Sequence, residues 1–241
     1  MRGIIVITPV KDSIETTKDC CRALVGALGN VSVPYTYTVY NDNSTPENTE
    51  ILKSLTAELS CDLVNLSDLT DHPSPNYLFV LRRVQKLAIE KDCDLIIVES
   101  DVTVKEDTIK KLVDERVNHP DCGLIAAVTV DAADSVNYPF EDITKGFARE
   151  ITPCKRHISF CCSLLSVDFL RKFDFDTLSP DKSWYDVTIS HKAVEIGFTN
   201  YVDMTNRVLH RPHASRPWKH LKKSNPLKYY WLKFTKGLDK I

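Results

Sequence analysis

Glycine is scarce in this chain, with seven among 241 residues, and none is spaced as G-x-G-x-x-G or as a P-loop. The usual backbone cradle for a di- or triphosphate is therefore missing, and any nucleotide held here needs a cation to neutralise its phosphates. No apolar run reaches the roughly 20 residues that span a bilayer, and the first residues read as a strand, not as a secretory h-region. These absences lead us to expect a cytoplasmic protein. The eight cysteines include no C-x-x-C pair. Cys20-Cys21, Cys61, Cys93, Cys122, Cys154 and Cys161-Cys162 read as reduced core thiols, because sequence neighbours cannot easily bridge and several lie in apolar runs. Neither sign of charge dominates: 31 Lys+Arg face 33 Asp+Glu, a net −2, which argues against bulk nucleic-acid binding. The average hides an asymmetry. From Arg207 to the end ten basic residues face one acid, a net +9, which leaves −11 on residues 1–206.

What is present is an alternation of strand and helix patterns over the first half. Gly3 to Thr8 reads as a strand, followed by a helix from Ser13 to Leu28 with Asp12 and Glu15 at capping-box spacing. Tyr35 to Tyr40 is a second strand, and Thr45-Pro46-Glu47 opens a second helix with proline in its first turn. A strand from Cys61 to Leu66, a loop through Asp71-His72-Pro73-Ser74-Pro75, a helix from Tyr77 to Glu90 and a strand ending at Glu99 follow. Such βαβ units build a parallel, Rossmann-like sheet. After a helix from Glu106 to Asn118 and a strand from Gly123 to Val130 the regularity breaks. Residues 131–156 have no clear period and read as a long functional loop or a short β excursion. Ile158 to Val167 reads as a strand, Tyr185 to Glu195 as a helix closed by Gly197, and Thr199 to Met204 and Arg207 to His210 as two short strands.

Four clusters carry chemistry. The buried-looking strand Leu95-Ile96-Ile97-Val98 runs into Glu99-Ser100-Asp101, and ligands gather at the carboxyl ends of strands in such sheets. Strand alternation turns residues 99 and 101 to one side, where carboxylates suit a divalent cation; a strand followed by an acidic helix cap is the alternative. Asn41-Asp42-Asn43-Ser44-Thr45 follows the next strand over, and is either turn chemistry or an acid that accepts hydrogen bonds from a base or ribose. Trp184-Tyr185-Asp186 opens a helix. Its acid is either a favourable helix-end charge or a general base beside an aromatic platform for a sugar ring. Leu209-His210-Arg211-Pro212-His213 offers histidines and an arginine for a metal or a phosphate.

In this order the clusters resemble the inverting glycosyltransferases of family 2, which have the GT-A fold. Ile7-Thr8-Pro9-Val10-Lys11-Asp12 is similar to the family's opening strand and turn, and Tyr40 to Thr45 to its acidic nucleoside-binding turn. Glu99-Ser100-Asp101 resembles its D-x-D metal motif and Trp184-Tyr185-Asp186 its base motif, while His210 falls where many members carry a metal- or diphosphate-contacting histidine. The resemblance spans about residues 3–213. Departures are Glu99 for the first aspartate, Tyr185 for the glutamate before the base, Asn41 for one acid of the turn, and a bulky helix with Arg82-Arg83 before the metal motif.

The resemblance implies an α/β, GT-A protein with a Rossmann-like, mostly parallel central sheet and a smaller mixed acceptor-side half. Residues 1–130 would be the nucleotide-sugar half, 131–213 the acceptor half and 214–241 a basic aromatic tail. It implies Asp186 as catalytic base, Asp101 and His210 as ligands of Mn²⁺ or Mg²⁺, and Trp184 and Tyr185 at the acceptor. Thr8, Pro9, Asp42, Arg83, Glu99 and Ser100 would contact the nucleotide-sugar donor. The acceptor would be a hydroxyl of a glycan or lipid-linked molecule, in the assembly of a surface polysaccharide or lipid-linked glycan. A nucleotidyltransferase is the competing enzyme, although Thr8 to Asp12 lacks its glycine-rich loop; a non-catalytic sugar- or nucleotide-binding module is the other alternative. In the tail, Leu227, Tyr230, Trp231, Phe234 and Leu238 recur at three- and four-residue steps beside lysines. That helix would either pack on the body or make a peripheral contact with the inner face of a membrane.

Overall fold

A computed structural model of the chain describes residues 2–181, 184–211 and 225–236. Its first half follows the expected alternation: β1 (Ile4–Val10), α1 (Ile14–Leu28), β2 (Tyr35–Asn41), α2 (Pro46–Glu58), β3 (Asp62–Asn65), α3 (Tyr77–Glu90) and β4 (Asp94–Val98). The second comprises β5 (Val102–Thr103), α4 (Thr108–Asn118), β6 (Cys122–Val130), β7 (Ile151–Pro153), β8 (Cys162–Leu165), α5 (Val167–Leu170), α6 (Tyr185–Glu195) and β9 (Thr199–His210). A separate helix runs over Pro226–Lys236. The strands form one sheet in the order β3-β2-β1-β4-β8-β6-β9-β5, with β7 beside β9.

The four strands β3, β2, β1 and β4 are parallel, as βαβ crossovers require. Beyond β4 the sheet is mixed. β8 inserts antiparallel between β4 and β6, while β6 and β9 pair in parallel. Period-2 alternation gives β1 and β4 two buried faces. Ile4, Val6, Ile96 and Val98 pack with α1, α2 and α4, and Ile5, Ile7, Leu95 and Ile97 pack with α3, α5 and α6. At the end of β4, Ser100 turns toward α1, where its hydroxyl meets that of Ser13.

Local departures from the expected elements have identifiable causes. Asp12 is no capping box: Ser13 is the helix N-cap, and Asp12, in the left-handed region at φ 55°, accepts hydrogen bonds from the Thr45 amide and the Asn48 side chain. It ties the first βα turn to the second. The expected strand from Ile158 to Val167 shortens to Cys162–Leu165, because the Ser166 hydroxyl accepts from the Phe169 amide and starts α5. The two expected strands after Gly197 are one strand, Thr199–His210, broken only by a bulge. Its register jumps from Asp203 to Arg207 opposite β6, and the Asp203 carboxylate caps the bulge by accepting from the Thr205 and Asn206 amides. Residues 131–156 do contain a β excursion, a bridge from Val130 to Val136 and then β7, anchored by the fully buried Phe140.

Candidate active site

The acidic cluster is assembled where β4 ends. The Glu99 amide donates to the Cys161 carbonyl at 2.9 Å, continuing the β4–β8 ladder one residue past the strand and setting Glu99 across from Cys161. A tight turn follows, closed by Val102 N–H to Glu99 C=O at 3.0 Å. β5 then pairs antiparallel with the last residues of β9, Val102 opposite His210, and the Arg211 amide donates to the Asp101 carbonyl. This pairing joins residues 108 positions apart. His210 Nε2 lies 3.4 Å from Asp101 Oδ2, and both residues are buried.

The imidazole is oriented from behind. His210 Nδ1 is 2.7 Å from the Tyr138 carbonyl, an acceptor, so Nδ1 carries the hydrogen and Nε2 faces the carboxylates. The Asn137 side chain donates to the His210 carbonyl at 3.0 Å. Burial alone would pull the His210 pKa down, but the hydrogen bond and charge of Asp101 outweigh it and the net shift is upward. Glu99 is pushed up to about 7 by burial first and then by the negative charges of Asp101 and Asp186. The charge of Asp186 thus reaches Glu99 from the first turn of α6. The Cys161 thiol donates to Glu99 Oε2 at 3.4 Å, and burial followed by the Glu99 charge holds its pKa well above the ordinary thiol value.

Ligand atoms of Glu99, Cys161 and His210 all lie within 4.8 Å of one another. Three carboxylates crowded into a half-buried space cost free energy unless protons or a cation offset their charge. A carboxylate-imidazole donor set with an acid at its edge fits Mn²⁺ or Mg²⁺.

Asp186 sits in the first turn of α6, half-buried, with its Oδ1 accepting from the Val187 amide. Trp184 is the N-cap residue and is partly exposed. Tyr185 turns inward instead: it is buried in the second core cluster, 6.5 Å between ring centroids from Tyr77. Its ring packs in the core at the start of the helix that carries Asp186.

The remaining expected donor contacts separate into turn-builders and interior groups. Asp42 accepts from the Ser74 hydroxyl, the Asn76 amide and the Asn76 side chain, each at 2.8 Å, so its carboxylate pins residues 74–76 beside the β2 end. A carboxylate offers about four acceptor positions, which leaves room for one further partner. Asn41, buried beneath it, donates to Thr49 and Asn65 and accepts from the Ser44 amide. Thr8 is fully buried and its hydroxyl bonds Tyr37 at 3.1 Å, so it serves the interior, while Pro9 beside it is partly exposed. Ser100, also buried, bonds Ser13 at 3.1 Å on the α1 side and fastens that helix to the strand end. Arg83 is exposed midway along α3, beside the Tyr40 hydroxyl. Its neighbour Arg82 donates to the carbonyls of Phe175, Asp176 and Leu178, clamping the segment that leads toward Trp184.

Sequence reasoning missed Cys161, read as an ordinary core thiol, and the pair Asn137 and Tyr138 that orients His210. No local signal marks any of them, because each acts through a pairing between distant segments. His213 lies outside the described residues.

Against known proteins, no family model and no curated protein matches the chain. Solved structures do match. The chain is similar to residues 1–349 of TarS from S. aureus, with TM-score 0.62 and 16% identity over 87% of this chain and 60% of that one. The same TarS fragment in complex with UDP-GlcNAc gives TM-score 0.60 and 15% identity over 88% and 60%. The mannosyltransferase PcManGT from Pyrobaculum calidifontis, in complex with GDP-Man and Mn²⁺, gives TM-score 0.64 and 12% identity over 97% and 64%. The chain thus spans 60–64% of the length of these solved chains, and 39% of the longer TarS chain. The fold is GT-A.

Proposed function

We propose that the chain is a divalent-cation-dependent, inverting glycosyltransferase, moving a sugar from a nucleoside diphosphate to a hydroxyl of a glycan or lipid-linked acceptor. The observation that carries this reading is the meeting of Glu99, Asp101 and His210 at the carboxyl edge of a GT-A sheet, with the charge of Asp186 felt at Glu99. UDP-GlcNAc in TarS and GDP-Man with Mn²⁺ in PcManGT support the donor class. Residues 1–130 would form the donor half, 131–213 the acceptor half and 214–241 a tail.

Asp101 and His210 would hold the cation, with Glu99 at its edge. When bound, the cation stabilises the negative charge that accumulates on the departing diphosphate. Asp186 takes the proton of the acceptor hydroxyl as that oxygen attacks the anomeric carbon from the face opposite the leaving group. The new C–O bond forms, the bond to the diphosphate oxygen breaks with its electron pair, and the configuration inverts. Tyr138, by fixing the Nδ1–H tautomer, keeps His210 Nε2 directed at the site. Asp42, by pinning residues 74–76, would shape the nucleoside side.

We also propose a peripheral membrane contact for the helix Pro226–Lys236. Leu227, Tyr230, Trp231 and Phe234 are 86%, 57%, 62% and 88% exposed, while Tyr229 on the other side is buried. Exposed aromatics interleaved with Lys228, Lys233 and Lys236 suit the interface of an anionic lipid leaflet, at about 1 kcal/mol per basic residue near the surface. No helix among the described residues is long and apolar enough to cross a membrane.

Calorimetry of UDP and GDP binding in Mn²⁺ and in EDTA tests the central claim, together with release of sugar from a nucleotide-sugar panel. Binding should require the cation and be nearly abolished in Asp101→Ala. Tight binding indifferent to both would overturn the cation role, and binding without sugar transfer to any acceptor would leave a non-catalytic module.

A further inference from the structure

Cys161 is the one group in the cluster that an oxygen-and-nitrogen cation site does not call for. Its sulfur approaches the Glu99 carboxylate on one side and stands within 4.8 Å of the ligand atoms of both Glu99 and His210. It is held there by the backbone. The Cys161 carbonyl accepts from the Glu99 amide, and β8 runs on from Cys162 between β4 and β6. His210 presents Nε2 because its Nδ1–H is committed to Tyr138, so sulfur, imidazole nitrogen and carboxylate oxygen stand in one cluster. Ligands at tetrahedral angles around zinc lie about 3.5 Å apart, which side-chain rotation can reach from the present spacing.

We propose that Cys161 is a thiolate ligand of the cation site held by Asp101 and His210, and that with Glu99 at its edge the site is able to take a thiophilic divalent ion such as zinc or cobalt. This rests on the cation-site reading above and adds a soft donor to it. Thiolate sulfur favours such ions over Mg²⁺ and Mn²⁺, which prefer carboxylate and water oxygen. The thiol is protonated without a cation, since it donates its hydrogen to Glu99. On binding, the sulfur lone pair forms the bond to the ion and the S–H proton passes to bulk buffer, so each ion taken up releases a proton from this group.

Cobalt reports the bond directly, because thiolate ligation gives Co²⁺ a strong near-ultraviolet charge-transfer absorption that oxygen and nitrogen ligands do not. The full chain should develop this band on titration with Co²⁺ and lose it in Cys161→Ser, which keeps a hydrogen-bond donor beside Glu99. In calorimetry the same variant should bind Zn²⁺ at least about tenfold more weakly while its Mn²⁺ affinity changes less than about threefold. X-ray absorption at the zinc edge of the wild-type protein supplies a measurement independent of any variant, with one sulfur expected at about 2.3 Å. Co²⁺ binding without the band, a band that survives in Cys161→Ser, or a zinc shell without sulfur refutes the thiolate ligand and leaves the cation site standing. Failure of every cation to bind overturns both.

Discussion

Replacing Glu99 with glutamine should stabilise the cation-free protein, although it removes a group from the centre of the site. Glu99 titrates near 7 in the folded chain against an ordinary value of 4.5, raised by burial and then by Asp101 and Asp186. Between those two values the unfolded chain has released its proton while the folded chain still holds one. Folding stability therefore falls as pH rises through that window, by about 1.4 kcal/mol per unit. Above 7 both states are ionised and the penalty stays constant at about 3 kcal/mol, or about 2 once solvent screening of a half-buried group is allowed for. Glutamine has no charge to bury, so Glu99→Gln should match the wild type near pH 4.5 and exceed it by this amount at pH 8. For a chain of this size that is a rise in melting temperature of about 4–10 °C. Thermal melts of both proteins in EDTA from pH 4.5 to 8.5 measure it. Repeating them in Mn²⁺ should shrink the difference, because the cation offsets the same charge. A gap independent of pH, or a variant less stable than wild type at pH 8 in EDTA, would refute the claim that crowded carboxylates strain the empty cluster.

Asp186→Asn should keep donor affinity within a few-fold in calorimetry while cutting transfer at least about 10²-fold in a product assay; a variant that retains most of its turnover returns Asp186 to a helix-end role. Asp42→Ala removes the acceptor of three hydrogen bonds from residues 74–76, and should cost about 2 kcal/mol in chemical denaturation and weaken nucleoside diphosphate binding. Wild-type behaviour in both would show that this turn holds itself. With anionic liposomes the full chain should pellet at low salt and be released at high salt, whereas Trp231→Ser combined with Phe234→Ser should remain in solution. Equal behaviour of the two proteins would return the helix to a surface with no lipid role.

The four parallel strands were legible because each carries its own signal: an apolar run bounded by turn residues, with a helix of matching period between one strand and the next. The carboxyl-edge position of Glu99, Asp101 and Asp42 followed from the same pattern. The start of α6 at Tyr185 and its close at Gly197, which adopts φ 95°, were readable from local chemistry. Where the pattern misled, a side chain had found a distant partner. Asp12 leaves its own helix to bind the next turn, and Tyr185 turns into the core against Tyr77.

The sequence by itself determined which residues could do chemistry and on which edge of the sheet they would stand, because periodicity and turn chemistry act within a few residues of each atom. Only the tertiary structure decided who stands beside whom. His210 meets Asp101 because β5 pairs with the end of β9, and Tyr138 reaches the imidazole because residues 131–156 fold back over that strand. Cys161 faces Glu99 because β8 inserts antiparallel between β4 and β6, a placement set by hydrogen-bond register between segments more than 60 residues apart. Register is a property of two strands at once, and no single stretch of sequence carries it.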